Sequence, residues 1–443
     1  MEWIEDTRRM KPTARIVPVR WVDDIRKKSD VLVIGGGLAG TMAAITAART
    51  GLHTTLIRRG SGATALSSGA VDLAGVLNWM RYIQRTGEAA QHALEDAVAD
   101  FLALMEEAGY PYAGSPHHSL VLINTLGTVK RTQLAPATCA AGNLADLDRA
   151  RILFVGVHGY PDCNAPFLSQ SVAFLSQNGL IDTHVEADAV VIPFPRTRHT
   201  ANINPFELAR LMDQEGVPVE LAERLARQAD LSHYTHVALP PIVGLDNPLA
   251  ALNVLQETIG IPCFELLAAP PSVPGYRLKQ ALDRAMARYG VDIIHACVES
   301  FTASDGHIDR VRAVQKHTAY HVEPHTVILA TGKFLGGGIE WSDRLREPIF
   351  DLPVFVDGAY TPSPCMPDLL TDRFTSEQRV FTAGLKVDPH LRPVSPDGHV
   401  IFANLLAAGG VLTGYNYLQD GSGLGVPLVS GHLCAHLAGG VAS

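Results

Sequence analysis

The chain has 443 residues, of which 47% are hydrophobic and 18% charged, and its formal net charge is −9. This composition excludes a disordered chain, and the length is enough for about two or three domains. No block of lysine and arginine stands out, which argues against a nucleic-acid-binding protein.

The cysteines and the N-terminal residues exclude further classes. The six cysteines lie at least 24 residues apart, so the close pairs of zinc and iron–sulfur sites are absent and no metal site is predicted. Residues 1–28 have mixed charge without the apolar core of a signal peptide, and we expect a polar arm. The longest apolar run, 31–48, contains four glycines and is not expected to span a membrane.

The first predicted unit covers residues 30–57. A buried strand at 30–34 precedes a glycine-rich turn, a helix at 41–50 and a second strand at 54–57. The turn matches G-x-G-x-x-G, where the first glycine permits a tight turn, the second lets a pyrophosphate approach, and the third packs helix on strand. We therefore predict a dinucleotide site at the helix N-terminus, formed by Gly35, Gly36, Gly37, Leu38, Ala39 and Gly40.

The second strand does not end in the acidic residue that would bind a ribose hydroxyl. Arg58 and Arg59 occupy this position instead. Either they contact a phosphate, or they are a plain surface pair.

The middle of the chain is predicted to contain alternating helices and strands. The predicted elements are helices within 76–109, a hairpin at 118–134, strands at 152–156 and 187–193, and helices at 166–177 and 205–229. Residues 236–275 are rich in proline and glycine, and we expect them to wrap around a site.

The C-terminal part favours a flavin over a nicotinamide cofactor. It contains a helix at 278–289, a strand at 291–297, a β-meander over 298–322 and a strand at 327–330. That last strand leads into Ala330, Thr331 and Gly332, which resemble the A-T-G segment of flavoproteins with two dinucleotide folds. A glycine-rich crossover without a ligand is the alternative. A final helix is predicted at 421–438.

Together, several segments resemble the B subunit of the anaerobic glycerol-3-phosphate dehydrogenase. The resemblance covers most of residues 30–443 and leaves the N-terminal arm outside. Its most specific part is P-P-S-V-P-G-Y-R-L at 270–278. The other segments are 34–40, 67–73, 125–132 with 134–136, and 159–165.

The resemblance implies a flavin subunit that works with a second flavoprotein subunit and an iron–sulfur subunit. Such a complex oxidises sn-glycerol 3-phosphate to dihydroxyacetone phosphate and passes the electrons to quinone in anaerobic respiration. The cofactor would be FAD or FMN, because the family is assigned FMN although its fold is of the FAD-binding type. The protein would be cytoplasmic, and attached to the inner membrane only through a partner.

The same resemblance suggests further cofactor contacts. The turn at Ser67, Ser68 and Gly69 would face the pyrophosphate or the flavin ring, and is otherwise a simple turn. The backbone of Val298 would contact an adenine, or Val298 is an ordinary strand residue. The ring end would be formed by Gly409, Gly410, Gly423, Leu424 and Gly425, where the N-terminus of the last helix stabilises the reduced ring.

Two residues are predicted to act on the substrate. Arg277 could bind the substrate phosphate through its guanidinium, or it is a structural arginine. Oxidation of an alcohol needs a base, and His199 is our choice among 18 histidines. The weaker candidates for an anion site or a base are Arg196, Arg198, His117, His118, Lys130, Arg131 and His158.

The predicted fold is α/β. A discontinuous FAD/NAD(P)-binding Rossmann-like domain spans residues 29–115 and 270–443, and an inserted α+β substrate or cap domain spans 116–269. The predicted function is a flavin-dependent oxidoreductase subunit acting on glycerol 3-phosphate. The alternatives are a non-catalytic electron-transfer or scaffold subunit, and a flavin dehydrogenase of another hydroxy acid.

Overall fold

The computed structural model describes residues 23–197, 201–342, 344–361, 366–373 and 376–441. The strands are β1 (Asp23–Ile34), β2 (Thr54–Arg58), β3 (Tyr112–Gly114), β4 (Leu120–Ile123), β5 (Val129–Thr132), β6 (Leu134–Pro136), β7 (Arg149–Val157), β8 (His184–Ile192), β9 (His236–Leu239), β10 (Cys263–Glu265), β11 (Asp292–His295), β12 (Cys297–Ser304), β13 (His307–Gln315), β14 (Thr318–Leu329), β15 (Glu340–Trp341), β16 (Leu345–Arg346), β17 (Phe355–Val356), β18 (Ala359–Tyr360) and β19 (Leu405–Ala407). The helices are α1 (Leu38–Arg49), α2 (Val76–Tyr82), α3 (Gly87–Glu107), α4 (Ala165–Gln177), α5 (Pro205–Met212), α6 (Val217–Gln228), α7 (Pro248–Ile259), α8 (Val273–Arg288), α9 (Met366–Leu369) and α10 (Gly425–Val441).

One seven-stranded sheet organises the larger core. Its order is β11-β2-β1-β14-β13-β12, and β19 pairs with the second half of β14. The strands β11, β2, β1, β14 and β19 are parallel, so their carboxyl ends meet at one edge. Helices α1, α3, α8 and α10 contribute buried apolar residues to the same core. This is the doubly wound arrangement in which ligands bind at the carboxyl edge of the sheet.

A second core belongs to the middle of the chain, and its buried residues run from Val121 to Leu266. It is built on a four-stranded sheet of order β10-β9-β7-β8, in which every pairing is parallel. Helices lie between successive strands of this sheet, so the insert has an α/β sheet rather than the predicted α+β arrangement. The predicted hairpin is present as β4 and β5 beside this sheet.

The structure corrects three further expectations. The first strand begins at Asp23, so residues 23–28 are not part of an arm; they pair with β14 over Thr318–Glu323. The proline- and glycine-rich stretch 236–275 contains α7 and two strands of the inserted sheet. The third meander strand and the predicted strand at 327–330 form a single strand, β14.

Candidate functional site

The first glycine loop lies at the carboxyl edge of the large sheet. Gly35 has φ +128°, and a methyl group there would stand 2.2 Å from the carbonyl oxygen of Ala330. A methyl group at Gly40 would stand 2.0 Å from the carbonyl oxygen of Gly35, so helix and strand touch backbone to backbone. Both positions therefore require glycine, as the sequence pattern predicts.

Gly37 is different, because a methyl group there would meet only the hydroxyl of Thr64, at 3.7 Å. Gly37 is the N-cap of α1 and makes no side-chain capping bond. The amide of Leu38 donates to the Thr64 hydroxyl at 2.8 Å, and the bond from Thr41 N to Gly37 O begins the helical ladder. Thr64 thus satisfies one N-terminal amide of α1, and the open space above Gly37 leaves room for an anion at the helix start.

Two further predicted segments converge on this loop. Ala330 contacts Gly35, as described, and Gly332 lies against Gly410. A methyl group at Gly409 would stand 2.6 Å from Cβ of Ala39 in the first turn of α1. The amide of Gly409 donates to the hydroxyl of Ser430 in α10 at 2.9 Å. The segments 35–40, 330–332 and 409–410 therefore form one continuous surface, which we call the glycine cradle.

The start of α10 lies beside the segment 67–73. The amide of Asp72 donates to the carbonyl of Gly423 at 3.0 Å, and Asp72 also forms a parallel bridge with Leu424. A methyl group at Gly425 would stand 2.1 Å from the Asp72 carbonyl oxygen. The carboxylate of Asp72 accepts a 2.8 Å hydrogen bond from Nζ of Lys130, which belongs to the inserted hairpin.

The predicted turn at 67–69 is held by the N-terminus of α8 and by β3. The hydroxyl of Ser272 donates to the carbonyl of Ser67 at 2.5 Å, and the hydroxyl of Tyr112 donates to the carbonyl of Gly69 at 2.9 Å. Ser68 is half-buried beside them. The turn thus lies between the start of α8 and β3.

Arg58, Arg59 and Val298 lie together at the end of β2. The side chain of Arg58 lies under Gly36, and its Nη1 donates to Asp283 of α8 at 2.6 Å. Arg59 is exposed. Val298 is partly buried in β12, which follows β11, the neighbour of β2. Arg58 therefore has a carboxylate partner within the protein, and its contact with a phosphate stays a prediction.

Arg277 lies in a buried ion pair. Its Nη1 and Nη2 donate to the two carboxylate oxygens of Glu265 at 2.7 and 3.0 Å, and its Nε donates to the carbonyl of Gly244 at 2.7 Å. Both side chains are at most 1% exposed. Glu265 also accepts from the Val243 amide and the Thr138 hydroxyl, both at 2.7 Å. This geometry is that of a structural pair linking α8 to the insert, and substrate binding by Arg277 stays a prediction.

The predicted base His199 lies outside the described residues, as does Arg198. Arg196 is described and pairs with Glu220 at 2.5 Å on the exposed surface. His117 is an exposed partner of Glu95 at 3.4 Å, and His158 is exposed at the end of β7. Of the weaker candidates that the structure describes, Lys130 is the one whose side chain contacts Asp72, which lies beside the start of α10.

Comparison with known proteins identifies the family. The family described as "FAD binding domain" matches residues 30–426. A protein of Halobacterium salinarum, named as the probable B subunit of an anaerobic glycerol-3-phosphate dehydrogenase, is 32% identical over 430 residues, which are 91% of this chain and 96% of that protein. The B subunit of the Yersinia pseudotuberculosis enzyme is 29% identical over 425 residues, again with 91% and 96% coverage.

This chain belongs to the family of B subunits of anaerobic glycerol-3-phosphate dehydrogenase. It is a flavoprotein of the FAD-binding fold, as the resemblance of the motifs predicts. Among solved structures, the 3-ketosteroid Δ1-dehydrogenase of Sterolibacterium denitrificans matches with a TM-score of 0.43 and 11% identity, covering 94% of this chain and 100% of that one. A flavocytochrome c3 fumarate reductase gives 0.42 and 10%, with 94% and 79% coverage.

The residues at the carboxyl edge fit a flavin nucleotide. Three buried side-chain oxygens of the described residues have no hydrogen-bond partner there: Oδ1 of Asp72, Oγ1 of Thr331 and Oγ of Ser422. Buried polar atoms are usually paired, and the polar groups of a bound nucleotide would give these three a partner. The phosphates would lie at Gly37 and the ring near Gly423–Gly425, and the flavin would supply a two-electron acceptor. These individual contacts stay predictions.

Two residues of this region were missed by the sequence analysis. Asp72 is the first: it belongs to segment 67–73 of the family resemblance, but it was not singled out. Nothing in the sequence showed that Lys130, in the predicted insert, would contact it. Lys333 directly follows Gly332 and is buried at the edge of the glycine cradle. A lysine after A-T-G in an apolar, glycine-rich stretch was the available signal.

Among the described residues, no helix combines the length and the apolar composition that are needed to cross a bilayer.

Proposed function

We propose that this chain is the flavin-carrying subunit of an anaerobic respiratory glycerol-3-phosphate dehydrogenase. It would oxidise sn-glycerol 3-phosphate to dihydroxyacetone phosphate, with the electrons passing through a second flavoprotein and iron–sulfur centres to quinone. The observation that carries the proposal is the nearly full-length relation to proteins named as B subunits of this dehydrogenase, combined with the glycine cradle of a flavin fold.

The pair formed by Asp72 and Lys130 supports an alcohol dehydrogenase. Oxidation of a secondary alcohol requires an acceptor for the hydroxyl proton, and a phosphorylated substrate requires a cation. Asp72 supplies a carboxylate with one unpartnered oxygen, and Lys130 supplies an ammonium group whose side chain is 36% exposed. Both groups lie at the start of α10, where the ring end is predicted. His199 remains the alternative base.

The test is anaerobic mixing of the complex with sn-glycerol 3-phosphate while the flavin absorbance is followed. We expect the flavin to bleach, and Asp72→Asn and Lys130→Met to slow the bleaching. Arg131→Met is the matched control, because Arg131 is the next residue in the same strand and its side chain is 67% exposed. Its partner is the exposed Asp182, 3.5 Å away. If dithionite bleaches the flavin and the substrate does not, the substrate assignment is wrong.

A second candidate function is electron transfer without substrate turnover. It is favoured by the contacts of Arg277, the predicted ligand of the substrate phosphate. All three of its nitrogens already donate hydrogen bonds within the protein. In this case the chain would hold its flavin between its partners. The test is removal of this chain from the complex: full quinone-linked activity of the remaining subunits would contradict both the catalytic and the relay role.

The type of flavin and the cellular location are part of the same proposal. Acid extraction followed by chromatography separates FAD from FMN, and either one agrees with a flavoprotein. We propose a cytoplasmic protein that reaches the inner membrane through a partner. Cell fractionation with and without the partner subunits tests this, since the chain should leave the membrane fraction when they are deleted.

A further inference from the structure

The first turn of α8 is held by the inserted domain. The rings of Tyr276 and of Phe206, a residue of α5, meet edge to face with 5.4 Å between their centres. Arg277, the next residue of α8, forms the buried pair with Glu265. A small buried cluster adjoins these contacts and consists of Ala209, Leu245 and Val273. The remainder of α8 packs in the larger core, so its first turn is the place where this helix and the insert meet.

The same turn also holds the segment 63–69, which we call the serine loop. A methyl group at Gly275 would stand 2.3 Å from the carbonyl oxygen of Ser67 and 2.9 Å from that of Ala65, so the two backbones are in direct contact. The hydroxyl of Ser272 donates to the Ser67 carbonyl at 2.5 Å and accepts from the Gly275 amide at 3.0 Å. Ser272 is 1% exposed. One buried hydroxyl therefore caps α8 and binds the serine loop.

The serine loop in turn lies against the start of α1. Its Ser67 hydroxyl donates to the Thr64 carbonyl at 2.7 Å, and the Thr64 hydroxyl accepts from the Leu38 amide at 2.8 Å. A methyl group at Gly62, directly before the loop, would stand 3.0 Å from Cα of Gly37. Contacts between described residues thus run from the insert through the first turn of α8 to the glycine turn at which the flavin phosphate is predicted.

We propose that the first turn of α8 couples docking of the inserted domain to retention of the flavin. With the insert docked, Glu265 and Phe206 fix this turn, and Ser272 and Gly275 hold the serine loop against the start of α1. Undocking of the insert removes the first two contacts, and the serine loop loses its support. The flavin should then dissociate faster. The inference goes beyond the proposed function, because it concerns how the cofactor is held and not what is oxidised.

Such a coupling is reciprocal, since docking of the insert and binding of the flavin must favour each other by the same free energy. A bound flavin should consequently slow hydrogen exchange in α5, although no residue of α5 is predicted to touch the flavin. Helix α4 is the internal control, because it packs on β7 and β8 of its own sheet, and its exchange should not change. Mass spectrometry of the full chain with and without its flavin, FAD or FMN, measures both helices.

Flavin titrations of the cofactor-free chain test the contact between α8 and the serine loop. Ser272→Ala removes the hydrogen bond to the Ser67 carbonyl and should weaken flavin binding about 3- to 10-fold, the effect of one lost hydrogen bond. The matched control is Asn164→Ala, which removes the N-cap of α4, where the Asn164 side chain accepts from the Phe167 amide at 3.2 Å. This control loses a helix cap as well, but its flavin affinity should change less than about twofold.

A second pair of variants tests the contact between the insert and α8. Phe206→Ala removes the ring that packs on Tyr276, and it should weaken flavin binding about 2- to 10-fold, the range of an aromatic pair. The matched control is Phe174→Ala in α4, because Phe174 is 58% exposed. Its flavin affinity should change less than about twofold.

Three results would each overturn the proposal. The first is equal weakening of flavin binding by Ser272→Ala and Asn164→Ala, because Ser272 would then act only through helix stability. The others are an unchanged flavin affinity of Phe206→Ala and an unchanged exchange of α5 on flavin binding, since either one would show that the insert is not coupled to the cofactor. The exchange experiment needs no variant, so it decides the question even if Ser272→Ala does not fold. None of these readouts uses glycerol 3-phosphate, and they are therefore independent of the proposed function.

Discussion

The ion pair between Arg277 and Glu265 is expected to hold the inserted domain against α8. Glu265 accepts four hydrogen bonds, two of them from Arg277. Arg277→Met removes those two bonds and leaves a carboxylate that is fully buried and without a cation. Loss of one partner from such a pair costs about 3–5 kcal/mol of unfolding free energy. For a cooperative unit of the insert's size, this corresponds to a fall in Tm of about 6–20 °C.

Thermal and urea unfolding followed by circular dichroism measure this effect. The matched control is Arg288→Met in the same helix, because Arg288 is 62% exposed and lies 3.8 Å from Glu107; it should cost less than about 1 kcal/mol. The double variant Arg277→Met with Glu265→Leu should be less destabilised than Arg277→Met alone, since no buried charge remains. A single variant that costs under about 1 kcal/mol, or a double variant that is worse than the single, would refute the reasoning.

Three further variants test the glycine cradle and a buried acid. Gly37→Ala should keep the Tm of the cofactor-free protein and weaken flavin binding in a fluorescence titration; unchanged flavin affinity would contradict the open-space argument. Gly35→Ala should fail to fold, because φ is +128° and its methyl group would stand 2.2 Å from a carbonyl oxygen; a soluble, normally melting variant would disprove this. Burial raises the pKa of Glu347 to about 7 in the folded protein, so folding is favoured when this carboxyl is protonated. The resulting contribution to the unfolding free energy, about 3 kcal/mol, is fully present below about pH 4.5 and is lost as the pH rises through 7. Glu347→Gln should remove that part of the pH dependence in urea unfolding at pH 5 and 7.5, and an unchanged difference between the two pH values would count against it.

The elements that were predicted correctly are those that depend on short stretches of the sequence. The unit at 30–57 was predictable because Gly40 lies directly against the carbonyl of Gly35, and the apolar runs beside them form buried strands. The β-meander was predictable for a similar reason, since the turn at Asp305 and Gly306 lies between two alternating strands. In each case the chain within about 30 residues contains the physical cause of the structure.

The wrong or missing predictions depend on contacts between distant segments. Five of the six residues 23–28 are charged, and the segment forms a strand because it pairs with β14 almost 300 residues later. Helix α7 was missed because Pro248 and Gly260 mark its two ends, and the surrounding prolines and glycines conceal its apolar face. The partner of Arg277 could not be read from the sequence, because Glu265 belongs to a strand of the other core.

The first half of β1 has a consequence for solubility. Its residues 23–29 pair with β14, whereas pairing with β2 begins only at Val31, so among the described residues this half has one open side. Unpaired strand edges are templates for intermolecular sheets. Asp24, Arg26 and Lys28 are exposed along it, and these charges would have to be desolvated or brought together before a second molecule could add a strand. Charge on this short segment thus opposes the addition of a further strand at this side of the described sheet.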